Sequence, residues 1–148
     1  MTHFEFTITV QKANYIAKTI HEIVGAERYS IGGSMVLELY GKLNRDVHDI
    51  DVIYEFDTRE KAILAYQLLD RTLDVIGKEH KKSYDNVAHD VWSVEFQTSL
   101  LPYPINVLFR ERDTTVLRHC LGVNWQRLEV VEDWKRKWNR DKDREDLK

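Results

Sequence analysis

Apolar and polar positions alternate from Phe4 to Val10, with Phe4, Phe6, Ile8 and Val10 set against Glu5, Thr7 and Thr9. That period of two predicts a half-buried strand. From 11 to 24 the spacing changes. Ala13, Ile16, Ala17, Ile20, Ile23 and Val24 recur at helical intervals, and Gly25 supplies a stop. A short apolar stretch from Tyr29 to Ile31 runs into Gly32-Gly33-Ser34, after which Met35, Val36, Leu37, Leu39 and Tyr40 predict a helix ending near Gly41. Residues 49–56, DIDVIYEF, alternate and are rich in β-formers, which predicts a strand. A long amphipathic helix follows over 58–76, opened by Thr58 and an acidic first turn at Glu60. Residues 78–90 carry no clear period and read as loop. Strands are expected at 91–98 and 104–109, joined by the turn-like LLPYP. From about 113 the chain is helical in character, with Trp125, Leu128, Val131, Trp134 and Trp138 spaced to line one core-facing stripe. No repeat, low-complexity tract or Pro-rich linker interrupts this order. The pattern therefore describes one α/β (α+β) domain over 1–148, a mixed β-sheet flanked by helices, with a C-terminal helix at about 124–148.

Composition narrows the function classes. At 148 residues, with 43% hydrophobic and 32% charged positions, the chain matches an ordinary globular domain with one continuous core. No apolar stretch approaches the ~20 residues of a membrane-spanning helix, and Glu5 falls where a secretion signal would be basic or apolar. A cytoplasmic protein with no membrane partner is the expectation. The lone Cys120 can form neither an internal disulfide nor a zinc site by itself, and reads as a small core residue. The six histidines show no metal-ligand spacing, so zinc chemistry has no support. A formal net charge of −3 argues against a nucleic-acid coat, and no DNA partner is expected. Basic residues do gather at 78–82, GKEHKK in context, and again at 135–144, and such runs commonly form solvated faces.

Two features carry the chemistry. In Gly32-Gly33-Ser34 the glycines let the backbone turn sharply and approach a ligand, while free N–H groups at a helix start favour a phosphate. Fifteen residues after Ser34 comes Asp49-x-Asp51 at the start of a strand, where alternation projects both carboxylates from one face. Like charges so close raise each other's pKa unless a cation lies between them, and Mg²⁺ suits an oxygen-only site that shares substrate phosphates. The string GGSMVLELYGKLNRDVHDIDVIYEF, 32–56, resembles the nucleotidyltransferase superfamily related to DNA polymerase beta. Its nearest flavour is that of the lincosamide and other antibiotic nucleotidyltransferases and the abortive-infection toxin type.

That resemblance implies a nucleotidyltransferase-like fold in which Gly32, Gly33 and Ser34 hold a nucleoside triphosphate. Arg45 and His48 would lie beside it, and Asp49 and Asp51 would bind Mg²⁺ or Mn²⁺. The C-terminal DWKRKWNRDKDREDL, 133–147, is similar to the family's last helix, with Lys135, Arg140, Lys142, Asp143 and Asp146 at the matching positions. Lys135 and Lys142 are thereby implied in nucleotide binding. A salt-bridged surface helix predicts much the same residues. One departure stands out. The family's third carboxylate, metal ligand and general base, is matched by Asn106 in PINVLF. An amide can offer a metal its oxygen but cannot take a proton at neutral pH. Either Glu95 on the preceding strand replaces it, or two carboxylates suffice, or the protein binds nucleotide without turnover. The acceptor is open between a small molecule, a protein hydroxyl and an RNA 3′ end. The rivals are a catalytically impaired binding or regulatory module and an interaction protein that takes no nucleotide.

Overall fold

The computed structural model describes residues 1–87 and 90–148. Its helices are α1 (His3–Val24), α2 (Ser34–Leu39), α3 (Arg59–Val75), α4 (Leu128–Trp138) and α5 (Asp141–Asp146). The strands are β1 (Arg28–Gly32), β2 (Ile50–Phe56), β3 (Lys81–Asp85), β4 (Val91–Phe96), β5 (Ile105–Glu111), β6 (Arg118–Cys120) and β7 (Val123–Trp125). All seven form one open sheet in the order β3-β4-β5-β2-β1-β7-β6. It is mixed: β2 pairs with β5 and β1 with β7 in parallel, and the other neighbours are antiparallel. The protein is α+β, as the alternation and helical spacing implied. No helix among the described residues is long and apolar enough to cross a membrane.

Several elements differ from the sequence reading. The stretch from Phe4 to Val10 is the first part of α1, not a strand. Thr2 and Glu5 form a capping box there: Thr2 Oγ1 accepts from the Glu5 N–H at 3.0 Å, and the Thr2 N–H donates back to Glu5 at 3.3 Å. Phe6, Val10, Ala13, Ala17 and Ile20 then continue one buried helical stripe, while Phe4 lies exposed. The alternating window was too short to separate the two periods. Lys81–Asp85, read as loop, is an edge strand, and the part of that reading at residues 88 and 89, with His89, lies outside the described residues. Trp125 belongs to β7, where it is fully buried and stacks on Phe6. The expected C-terminal helix is two helices, broken where Asn139 adopts the left-handed conformation at φ 51°. Cys120 packs partly buried against the core, close to expectation.

The two faces of the sheet differ in chemistry. One carries Val52, Tyr54, Phe56, Val107, Phe109 and Val94, buried beneath α1 and α3 in the main core. The other carries Ile53 and Leu108, covered by Trp134 of α4 in a smaller cluster. That second face also bears Asp51, Glu55, Asn106 and Arg110, because register partners across a ladder share a face. Near one end of it, Arg28 and Arg110 enclose the buried Glu55 carboxylate at 2.9 and 3.9 Å. At the other end lie Asp49 and Asp51.

Candidate active site around Asp49 and Asp51

One rung of the sheet positions the site. Gly32 is opposite Asp51, Asp51 opposite Asn106, Asn106 opposite Glu95, and Glu95 opposite Lys81. Side chains of these residues therefore point from one face in a row. A cleft of about 110 Å³ over this face is lined by Gly33, Ser34, Asp49, Asp51, Asn106 and, from α4 and α5, Lys135 and Lys142.

The glycine pair is required by crowding within the sheet. A Cβ on Gly32 would collide with Gln126 and Ile53, and one on Gly33 would collide with the Asp51 carboxylate. Gly33 also has φ +61°, a conformation side chains disfavour. The backbone thus closes directly onto Asp51. Ser34 is buried, and its Oγ accepts from Arg45 at 2.9 Å.

Asp51 is the most perturbed carboxylate of the cleft. Burial raises its pKa, the neighbouring Asp49 charge raises it further, and the total carries it to about 7. A hydrogen bond donated by Asn106 Nδ2 at 3.1 Å and the charges of Lys135 and Lys142 oppose the shift without cancelling it. Glu55, four residues along the same strand and face, has two guanidiniums beside it. Among the described residues Asp51 has only a neutral side-chain amide in direct hydrogen-bond contact. The nearby lysines therefore offset the Asp51 charge only in part, the condition a divalent cation relieves. Two carboxylates and an amide oxygen form a hard-oxygen donor set that fits Mg²⁺ or Mn²⁺. For Asn106 to contribute, its amide must turn over, since Nδ2 now faces Asp51.

The C-terminal segment closes the site from above. Lys135 is buried and donates to Asp146 at 3.0 Å, with Asp143 at 3.7 Å. Arg45 forks onto the same Asp146, with both bonds 2.9 Å, and Arg140 holds Asp143 at 2.7 Å. Burial pushes both carboxyls up, but these cations outweigh it and leave each below the usual carboxylate range. The acids of this helix are thus buried anchors rather than surface partners. Lys142 lines the cleft and has no ion-pair or hydrogen-bond partner among the described residues.

The sequence-derived set is brought together only in part. Gly33, Ser34, Asp49, Asp51, Asn106, Lys135 and Lys142 share the cleft. Gly32 stands behind it, Arg45 is turned into the Ser34–Asp146 anchor, and His48 is exposed outside the lining. Glu95 lies in the same rung, one strand beyond Asn106, and lines a neighbouring cleft. Trp138, which the spacing assigned to the core, packs partly buried against the smaller cluster and also lines the Asp49 cleft beneath Arg140, and its Nε1 is buried without a hydrogen-bond partner among the described residues. Ser83, Asp85 and Ser93 line its far side. No periodic signal marked Ser83 and Asp85, because β3 is an exposed edge strand with no apolar face.

A separate group, Asp70, Asp74 and His80, brings three potential ligand atoms within 4.8 Å. Its His80 ring is bonded at both nitrogens, to Lys78 O at 2.8 Å and Asp70 at 2.7 Å. The Asp70 carboxylate raises the imidazole pKa above its ordinary value, and both ring nitrogens are already engaged in hydrogen bonds. Compared with known proteins, the chain matches no family model, no curated protein and no solved structure.

Proposed function

We propose that the protein is a metal-dependent nucleotidyltransferase, moving a nucleoside monophosphate from a nucleoside triphosphate to an acceptor hydroxyl. The observation that carries this reading is the Asp49–Asp51 pair, its charge only partly offset by Lys135 and Lys142, with Asp51 pressed against Gly33 in one cleft. The resemblance of 32–56 to nucleotidyltransferases supports it. Asp49 and Asp51 would hold Mg²⁺ or Mn²⁺, with Asn106 after its amide turns. The cation would neutralise phosphate charge and polarise the reacting phosphoryl group. Lys142 is free to meet a phosphate as a point charge. Lys135 acts on the site mainly by holding α5, because its ammonium is engaged by Asp143 and Asp146. Glu95 is the carboxylate in register with Asn106 and would accept the acceptor's proton.

The cleft, at about 110 Å³, admits a cation and phosphate groups but not a whole nucleotide. The nucleoside therefore stays on the open rim, or α5 shifts to admit it. A second reading, a binding module without turnover, is favoured by one observation: Asn106 gives Asp51 a hydrogen bond where the family resemblance expects a third charge.

Calorimetric titration of the four ribonucleoside triphosphates, with and without Mg²⁺, separates the possibilities. Metal-dependent binding that disappears in Asp49→Ala/Asp51→Ala is the expected result. Binding indifferent to metal favours the module, and no binding of any triphosphate removes the enzymatic reading.

A further inference from the structure

Residues 78–81 of the basic run line the cleft next to Glu95. It is the larger of the two, about 540 Å³, and is formed by Lys78, His80, Lys81, Glu95, Phe96, Gln97 and their neighbours where β3 begins and β4 ends. This is the size range of small-molecule sites. It opens at the same end of the sheet as the Asp49 cleft. The Ile50 N–H donates to Pro104 O at 3.0 Å, and Pro104 lines the larger cleft. The rung Asp51–Asn106–Glu95–Lys81 runs from one cleft into the other, so Glu95 stands at their boundary.

We infer that this second cleft is the acceptor subsite, and that its occupant is a small hydroxyl-bearing anion, a sugar or polyol carrying a phosphate or carboxylate. The acceptor role rests on the nucleotidyltransferase reading; the binding chemistry of the cleft does not. Lys78 is half-buried and Lys81 exposed, and neither has an ion-pair or hydrogen-bond partner among the described residues for its ammonium. His80 adds no free charge, since its ring is engaged by Lys78 O and Asp70, with Asp74 at 3.8 Å. Two acids, Glu79 and Glu95, face these groups, and Glu95 is the one placed to receive a proton. The unpaired Lys78 and Lys81 ammoniums favour an anion and repel an amine-bearing acceptor. Pro104, with the edge of the largely buried Phe96, adds a small apolar surface suited to the C–H face of a sugar. A polynucleotide is disfavoured: Lys82, the remaining cation of the run, is tied to Asp70 at 3.2 Å, and the chain is acidic overall at −3.

In the transfer step the acceptor hydroxyl gives its proton to the Glu95 carboxylate. Its oxygen forms a bond to the α-phosphorus as the bond to the bridging β-phosphate oxygen breaks. Pyrophosphate leaves with that electron pair, and Glu95 returns the proton to solvent.

The test uses the full chain, labelled with ¹⁵N, without nucleotide. Glycerol 3-phosphate, glucose 6-phosphate and gluconate are titrated in turn, against glycerol, glucose, glucosamine and a short oligoribonucleotide. The expected result is saturable shifts of the Lys78, Lys81 and Gln97 amides with at least one anion and not with its uncharged counterpart. Lys78→Ala/Lys81→Ala should weaken that binding roughly tenfold, the loss of one or two charge-assisted contacts, with the rest of the spectrum unchanged. Asp49→Ala/Asp51→Ala should leave it intact. Shifts with glucosamine or the oligoribonucleotide alone, or with none of the three anions, overturn the inference. Anion binding in a protein that takes up no triphosphate overturns the transferase reading and leaves the cleft's chemistry standing.

Discussion

Asp51 is held where its charge is costly, and that cost has a sign that can be read from pH. Its folded pKa, about 7, lies above the ordinary 3.8, so between those values the native state binds more protons than the unfolded chain. Stability attributable to this group therefore falls as pH rises from about 4, and the full penalty is present above 7. Asp51→Asn should raise the melting temperature of the metal-free protein at pH 8 and leave it nearly unchanged at pH 4. Scanning calorimetry at both values checks this. Mg²⁺ should stabilise the wild type at pH 8 and the variant much less. Gly33 tests the same contact from the other side. Gly33→Ala adds a side chain at positive φ and pushes it into the Asp51 carboxylate, so a loss of about 1–2 kcal/mol is expected from backbone strain. Urea unfolding measures that loss, and triphosphate binding should suffer more than stability does.

Helix α1 separates two phenylalanines that a strand would have made equivalent. Phe6 is buried against Trp125, whereas Phe4 is 76% exposed. Phe6→Ala should cost about 3–5 kcal/mol and Phe4→Ala less than about 0.5 kcal/mol by urea unfolding. A strand would have made the two costs alike. Helix α5, only six residues long, is held by charge rather than by apolar packing. Asp146→Ala would strand Arg45 and Lys135 beside each other, at a cost of about 3–5 kcal/mol, while Asp141→Ala on the exposed side should change stability by less than about 0.5 kcal/mol. Chemical denaturation of both variants provides the comparison. Because Asp143 and Asp146 have lowered pKa values, their contribution is present at neutral pH and lost as acid carries the solution down through those values.

Across the whole molecule, stability concentrates in the middle of the sheet. Strands β2 and β5 are central and buried on both faces along most of their length, while β3 is an exposed edge. Native-state hydrogen exchange should find the slowest amides at Val52–Tyr54 and Val107–Phe109 and the fastest strand amides in β3. Protection of β3 equal to that of β2 would contradict this gradient. The arrangement also explains why the two clefts adjoin at one end of the sheet. The parallel β2 and β5 start there, β4 ends there, and α4 with α5 covers only part of one face.

What the amino-acid sequence determined by itself was local. The DIDVIYEF alternation placed β2, Thr58 marked the start of α3, and Asp49-x-Asp51 put two carboxylates on one side of a strand. Each depends on neighbours a few residues apart, which periodicity and capping chemistry encode directly. Only the tertiary structure decided the rest. It set Glu95 in register with Asn106, turned Arg45 from the cleft to Asp146, split the tryptophans between β7 and α4, and gave the unpatterned run at 78–81 a cleft to line. These outcomes depend on strand order and on ion pairs spanning up to 101 residues, and no local window of the chain carries that information.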